Sequence, residues 1–192
     1  MAGKNLMAGA AFALAPFVFA SCAAPEKAIE PAKDQAWRLE GRAMVAVADP
    51  RAASAAVAVL ENGGHAVDAA IAAHTVLGLV EPQSSGIGGG GFMLVYDRTS
   101  GGVTFYDGRE TAPAAIDENL FSRDDGSTMG FVEAWQSGRA VGTPSVVKLY
   151  ETAHADHGKA KWADLFKSAE GLARDGFEVT PRLTNSLSHK RL

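Results

Sequence analysis

A single arginine stands where two apolar runs and a glycine would hold it in place. Gly108-Arg-Glu-Thr-Ala-Pro113 sets Arg109, Glu110 and Thr111 in a row at the end of an expected β-hairpin. Arginine carries a permanent charge on a planar fork of donors, which suits a carboxylate or a phosphate gripped by two hydrogen bonds. Taken alone, a surface arginine in an ion pair contributes at most about 1 kcal/mol. Glu110 and Thr111 are placed to orient the guanidinium or to cap nearby backbone. Upstream lies Gly86-Ile-Gly-Gly-Gly-Gly91. Such a run can take positive φ and let other groups come close to the backbone. Gly86-x-Gly88-x-x-Gly91 formally matches a dinucleotide fingerprint, which requires a strand before it and a helix after it. Here a helix-like run ends at Pro82 and a strand-like run follows Gly91, so the glycines read as a tight turn.

The elements that must position these residues follow from periodicity and punctuation. Phe92–Asp97 and Val103–Asp107 are rich in β-formers and flank the turn Arg98-Thr-Ser-Gly-Gly102. Ala43–Ala48 is a short apolar run expected as a buried strand. Asp49-Pro50 predicts a helix start, with an acidic cap and proline at the first position. That helix should stop at Gly63-Gly64, and its alanines predict close helix packing. A second helix is expected over Ala66–Val80, ended by Glu81-Pro82, with Asp68 in its first turn where the helix dipole favours a carboxylate. His74 falls mid-helix and reads as a packed or surface histidine. Ala115–Gly138 reads as loop, with a turn at Asp124–Ser127. Thr143-Pro144 predicts another helix start, running to His157. Trp162–Asp175 and a segment from Thr180-Pro181 complete the helices.

Composition narrows the function classes. The 192 residues carry a formal charge of −4, which gives no basic footprint for nucleic acid. One cysteine makes no internal disulfide. No set of His, Cys, Asp or Glu falls at metal-ligand spacing, so no metal and no cofactor is expected. Residues 1–21 read as a signal segment: Lys4, then an apolar run over Leu6–Phe19 interrupted by Pro16. Phe19-Ala-Ser-Cys22 is similar to a bacterial lipoprotein signal, which makes Cys22 the expected lipidation site. Residues 22–40 read as a tether and residues 41–192 as a folded domain. Export to the periplasm is expected, with a lipid anchor on a membrane.

Several words recur in one order: Met44-Val-Ala-Val-Ala-Asp-Pro50, Gly63-Gly-His-Ala-Val-Asp-Ala-Ala70, Val80-Glu-Pro82, Ser85–Phe92 and Gly108–Pro113. Together they resemble the N-terminal part of the large subunit of γ-glutamyltransferases, the glutathione hydrolases of the N-terminal-nucleophile class. The resemblance runs from about Arg42 to Leu183. It implies an α+β fold, an αββα sandwich that is incomplete here. It also implies cleavage of γ-glutamyl amides through an acyl-enzyme, with transfer of the acyl group to water or an amine. By the same resemblance Arg109 would clamp the substrate's α-carboxylate, with Glu110 and Thr111 behind it. The family's nucleophilic threonine heads a second subunit and has no counterpart in these residues; Thr152-Ala-His154 lies inside an expected helix. The expected partners are therefore a γ-glutamyl small molecule such as glutathione and a small subunit bearing the nucleophile, and this fragment alone is expected to be inactive. His65 and Ser145 depart from the family's usual asparagine and glycine. A related acylase, a poly-γ-glutamate-processing enzyme or a non-catalytic lipid-anchored remnant are the alternatives.

Overall fold

The structure is a computed structural model, and it describes residues 38–39 and 43–188. The signal segment, Cys22 and most of the tether lie outside the described residues. Near the end of the tether span, Arg38–Leu39 form β1 and pair antiparallel with β2, Ala43–Met44. The apolar run expected as a buried strand over Ala43–Ala48 is thus strand only at its start, and Met44 is exposed.

Two helices form the backbone of the domain. α1 spans Pro50–Glu61 and α2 spans Ala66–Val80, as the caps predict. Asp49 caps α1 by accepting from Arg51 N at 2.8 Å, and its carboxylate also receives Arg51 Nε and Nη2. Ala52, Ala55 and Ala56 of α1 meet Ala69, Ala73 and Val76 of α2, all buried. Alanine faces let two helix axes approach closely, and close approach maximises dispersion contacts. Gly63 takes φ +83 between them, a conformation that side chains disfavour.

Asp68 is fully buried at the α2 N-terminus. Its Oδ2 accepts from the backbone N–H groups of His65, Lys159 and Ala160 at 2.7, 2.9 and 3.1 Å. Burial alone would raise its pKa; these N–H donors outweigh burial and hold it below the ordinary carboxylate value. His65, where the resemblance would place asparagine, supplies a cap of its own: Nδ1 accepts from Val67 N at 3.2 Å.

β3 (Gly91–Asp97) and β4 (Gly102–Gly108) form the expected antiparallel hairpin, with Phe92 opposite Asp107 and Leu94 opposite Phe105. Its inner face presents Val95 and Tyr106 to a core made with Val67 and Ile71 of α2, Leu165, and Val146, Leu149 and Tyr150 of the next long helix. That helix, α4, spans Val146–His157. Its start is later than Thr143-Pro144 predicts, because Thr143 N donates to Thr111 O at 2.9 Å in an extended bridge. The segment read as loop contains a short helix, α3 (Phe131–Gln136), whose first turn is closed by Glu133 accepting from Gly130 N. The turn near Asp124 is present, with Gly126 at φ +82. The helix expected over Trp162–Asp175 begins as a 3-10 turn, Trp162–Phe166, and continues as α5, Lys167–Asp175. α6 spans Pro181–Leu187, capped by Thr180. Arg182 Nε reaches the buried Glu81 at 3.1 Å and ties α6 to the end of α2.

Candidate functional site

The hairpin delivers Arg109 where expected, one residue past β4. Asp107 Oδ1 accepts from Arg109 N at 2.9 Å and fixes the turn out of the strand. The arginine side chain is 67% exposed, and Nη1 lies 3.3 Å from Glu110 Oε2. An exposed guanidinium with one partner keeps donors free for a ligand. Glu110 is more enclosed, and its Oε2 is buried without a hydrogen bond closer than that ion pair. Thr111 lies in the bridge to Thr143 and serves the backbone.

The glycine run makes the other wall. None of Gly86–Gly91 takes positive φ, so the run is explained by close approach. A β-carbon on Gly90 would collide with the Gly108 carbonyl and would sit 2.6 Å from Glu110 Oε2; one on Gly142 would sit 2.9 Å from Glu110 Cβ. Glu110 therefore rests in a cradle of Gly89, Gly90 and Gly142. The dinucleotide context is missing, since α2 precedes these glycines and β3 follows them.

The N-terminus of α4 pins both walls. Ser145 N and Val146 N donate to Gly89 O at 3.1 and 3.0 Å. Ser145 Oγ donates to Gly108 O at 2.5 Å, one peptide before Arg109. The sequence marks Ser145 only as a departure from glycine; its clamp on Gly108 follows from a contact 37 residues away and has no local signature.

Around Arg109 opens a cavity of about 310 Å³. Its rim also carries Arg139, which sequence reasoning passed over. Arg139 Nη1 donates to Leu120 O at 3.1 Å and Ser122 O at 2.9 Å. Ile116, Leu120, Phe121 and Val141 form the apolar part of the lining. Thr152 and His154 lie on α4; Thr152 Oγ1 donates to Lys148 O and His154 Nε2 contacts Ala160 O, so neither joins this site. Among the described residues no group of three or more His, Cys, Asp or Glu could hold a metal.

Comparison with known proteins fits this geometry. Residues 52–192 match the family model described as gamma-glutamyltranspeptidase. The glutathione hydrolase proenzyme of Bacillus subtilis is 39% identical over 145 residues, 76% of this chain and 25% of the relative. The chain thus spans about a quarter of the length of that curated relative. A gamma-glutamyltranspeptidase from Pseudomonas nitroreducens, solved with L-DON, superposes with a TM-score of 0.70 at 36% identity, over 78% of this chain and 44% of that one. The Helicobacter pylori enzyme gives 0.69 at 31%, over 74% and 40%. The fold is therefore an incomplete α+β part of the N-terminal-nucleophile architecture, and the chain belongs to the gamma-glutamyltranspeptidase family.

Proposed function

We propose that this chain is the N-terminal part of an exported γ-glutamyltransferase, or glutathione hydrolase, and that Arg109 binds the α-carboxylate of its γ-glutamyl substrate. One observation carries the reading: Arg109 is held at its backbone by Asp107 and Ser145, while its guanidinium stays exposed over a cavity. A rigid base with an open fork is what positioning a carboxylate requires. Glu110 positions the fork through its ion pair and is itself fixed by the glycine cradle.

The chemistry is completed by a partner segment. Its N-terminal threonine would attack the γ-glutamyl carbonyl, with its own α-amino group taking the hydroxyl proton and passing it to the amine that leaves as the amide C–N bond breaks. The acyl-enzyme then passes the γ-glutamyl group to water or an amine. Residues 1–192 supply the carboxylate grip and no nucleophile, so alone they release no glutamate from glutathione. Residues 1–21 direct export, and Cys22 carries the lipid that holds the protein at a membrane facing the periplasm. Mass spectrometry of the mature N-terminus checks this: an unmodified terminus beyond Cys22 sinks the anchor.

Steady-state kinetics on the complete protein test the assignment. Arg109→Lys keeps the charge and loses the bidentate fork. A charge-assisted hydrogen bond is worth about 1.5–3 kcal/mol, or roughly tenfold to a hundredfold in kcat/KM. Arg109→Ala should lose at least as much on γ-glutamyl substrates with the α-carboxylate and little on analogues without it. Equal losses on both would show that Arg109 supports the fold and does not read the substrate.

A further inference from the structure

We propose that Arg139 forms a second anion-reading position in the Arg109 cavity, and that it selects γ-glutamyl peptides whose leaving group ends in a free carboxylate. This rests on the γ-glutamyl reading of Arg109 and extends it to the other end of the substrate.

Arg139 and Arg109 line the same cavity of about 310 Å³. That is room for a small peptide rather than for a single carboxylate. Both Nη1 hydrogens of Arg139 are committed to backbone, on Leu120 O and Ser122 O. Two bonds from one nitrogen fix the plane of the guanidinium. Its Nε and Nη2 donors have no hydrogen-bonded partner among the described residues, and no carboxylate lies within ion-pair distance of it there. Glu133 is near enough for Arg139 to help lower its pKa, yet Glu133 is engaged first by Arg123 through a bidentate pair. A pre-oriented guanidinium with unused donors on a cavity rim is suited to a planar anion. The lining shared by the two arginines also carries the apolar Ile116, Leu120 and Val141 and the polar Glu110 and Thr111. Two guanidinium groups on one small cavity match a peptide that carries two carboxylates.

The test compares two substrates that differ only at the distant end: a γ-glutamyl dipeptide with a free C-terminal carboxylate and the same peptide as its C-terminal amide. In the complete protein, Arg139→Gln should raise KM for the free acid about tenfold to a hundredfold and leave the amide within about twofold, with kcat little changed on both. Glutamine keeps two N–H donors for Leu120 O and Ser122 O, so the loop stays anchored. Arg139→Lys should recover part of the loss. Equal losses on acid and amide would overturn the proposal and leave Arg139 as a loop anchor. A parallel binding measurement separates this idea from the reaction it rests on. Calorimetry with an isostere of the dipeptide in which CH2 replaces the scissile NH, as free acid and as C-terminal amide, should show the same Arg139-dependent preference without turnover. If the preference is present but wild type turns over neither peptide, the reaction fails and the subsite stands. If Arg109→Ala abolishes turnover while Arg139→Gln changes acid and amide alike in both measurements, the subsite fails and the reaction stands.

Discussion

The helices and the hairpin are finished to different degrees. Around α1 and α2 the buried polar groups are largely paired: Asp49 by Arg51, Glu81 by Arg182 and Gln83, Asp68 by three backbone donors. The hairpin is finished on one side only. Val95 and Tyr106 are buried, but Phe92, Leu94, Tyr96, Val103 and Phe105 on the other face are exposed, Leu94 at 71% and Phe105 at 57%. An antiparallel sheet with one solvated face normally alternates apolar and polar residues. Here both faces are apolar, the pattern of a strand pair meant to be covered on both sides. The helices form a layer whose buried polar groups are mostly paired, and the hairpin presents Arg109 from a layer with one apolar face exposed.

The sharpest way to break that comparison is at Asp68. Asp68→Ala leaves the N–H groups of His65, Lys159 and Ala160 without an acceptor in a buried place. Losing that acceptor should destabilise the fold by about 3 kcal/mol or more. Chemical denaturation of variant and wild type measures it. A loss below about 1 kcal/mol would show that the helical layer does not depend on this anchor.

A smaller effect on stability is expected across the hairpin. Leu94→Ser and Phe105→Ser remove exposed cross-strand contacts, Phe105 stacking on Phe92 at 5.7 Å, so stability should fall by about 1 kcal/mol or less. Association should change more, because an exposed apolar face of this kind drives self-association. Sedimentation velocity of the chain should show less oligomer in the double variant. Unchanged association would mean that the outer face is not what brings copies together.

Legibility in the sequence follows the same divide. α1 and α2 could be read to within about a residue, because Asp49-Pro50, Gly63-Gly64 and Glu81-Pro82 are local stop and start chemistry. The hairpin and the place of Arg109 were equally plain, since alternation and a glycine turn are also local. What stayed hidden depends on distant partners. Thr143-Pro144 looks like a helix start, but Thr143 N is drawn to Thr111 O and the helix waits until Val146. Ala43–Ala48 looks like a buried strand, but among the described residues only β1 pairs with it and only at Ala43–Met44. Ser145 and Arg139 act through contacts to Gly108, Leu120 and Ser122 that no local pattern announces. His65 reads as a lost asparagine, yet imidazole Nδ1 can accept the same kind of capping bond.

The smallest expected effect separates the two regions by pH. His74 lies midway along α2, half-buried, in an edge-to-face contact with Tyr150 at 5.3 Å between ring centroids, and its Nδ1 is buried without a partner among the described residues. Burial holds its pKa below 6.5. Burial, and then the neighbouring His157, do the same to His65. For both, the unfolded chain binds a proton more readily than the folded one. Their stabilising contribution is complete above pH 6.5 and declines as pH falls from there toward the lower folded values. Tyr106 on the hairpin behaves in the opposite sense. Burial first, and then its hydrogen bond to Asp156 at 2.8 Å, push its pKa from 10.0 to about 12. Its contribution is complete below about pH 10 and is lost as pH rises through about 12. The acid limb down to pH 5 therefore belongs to the helical histidines, while the alkaline limb is shared by Tyr106 on the hairpin and Tyr150 on α4, whose phenol burial also pushes up. Melting temperatures from pH 5 to pH 11 for wild type, His74→Phe and Tyr106→Phe measure the two limbs. His74→Phe should flatten the decline below pH 6.5 and leave the alkaline limb alone; Tyr106→Phe should do the reverse. Comparing slopes removes any uniform loss that either substitution causes. If either variant changes both limbs alike, the helices and the hairpin titrate as one unit, and the division between them does not extend to their electrostatics.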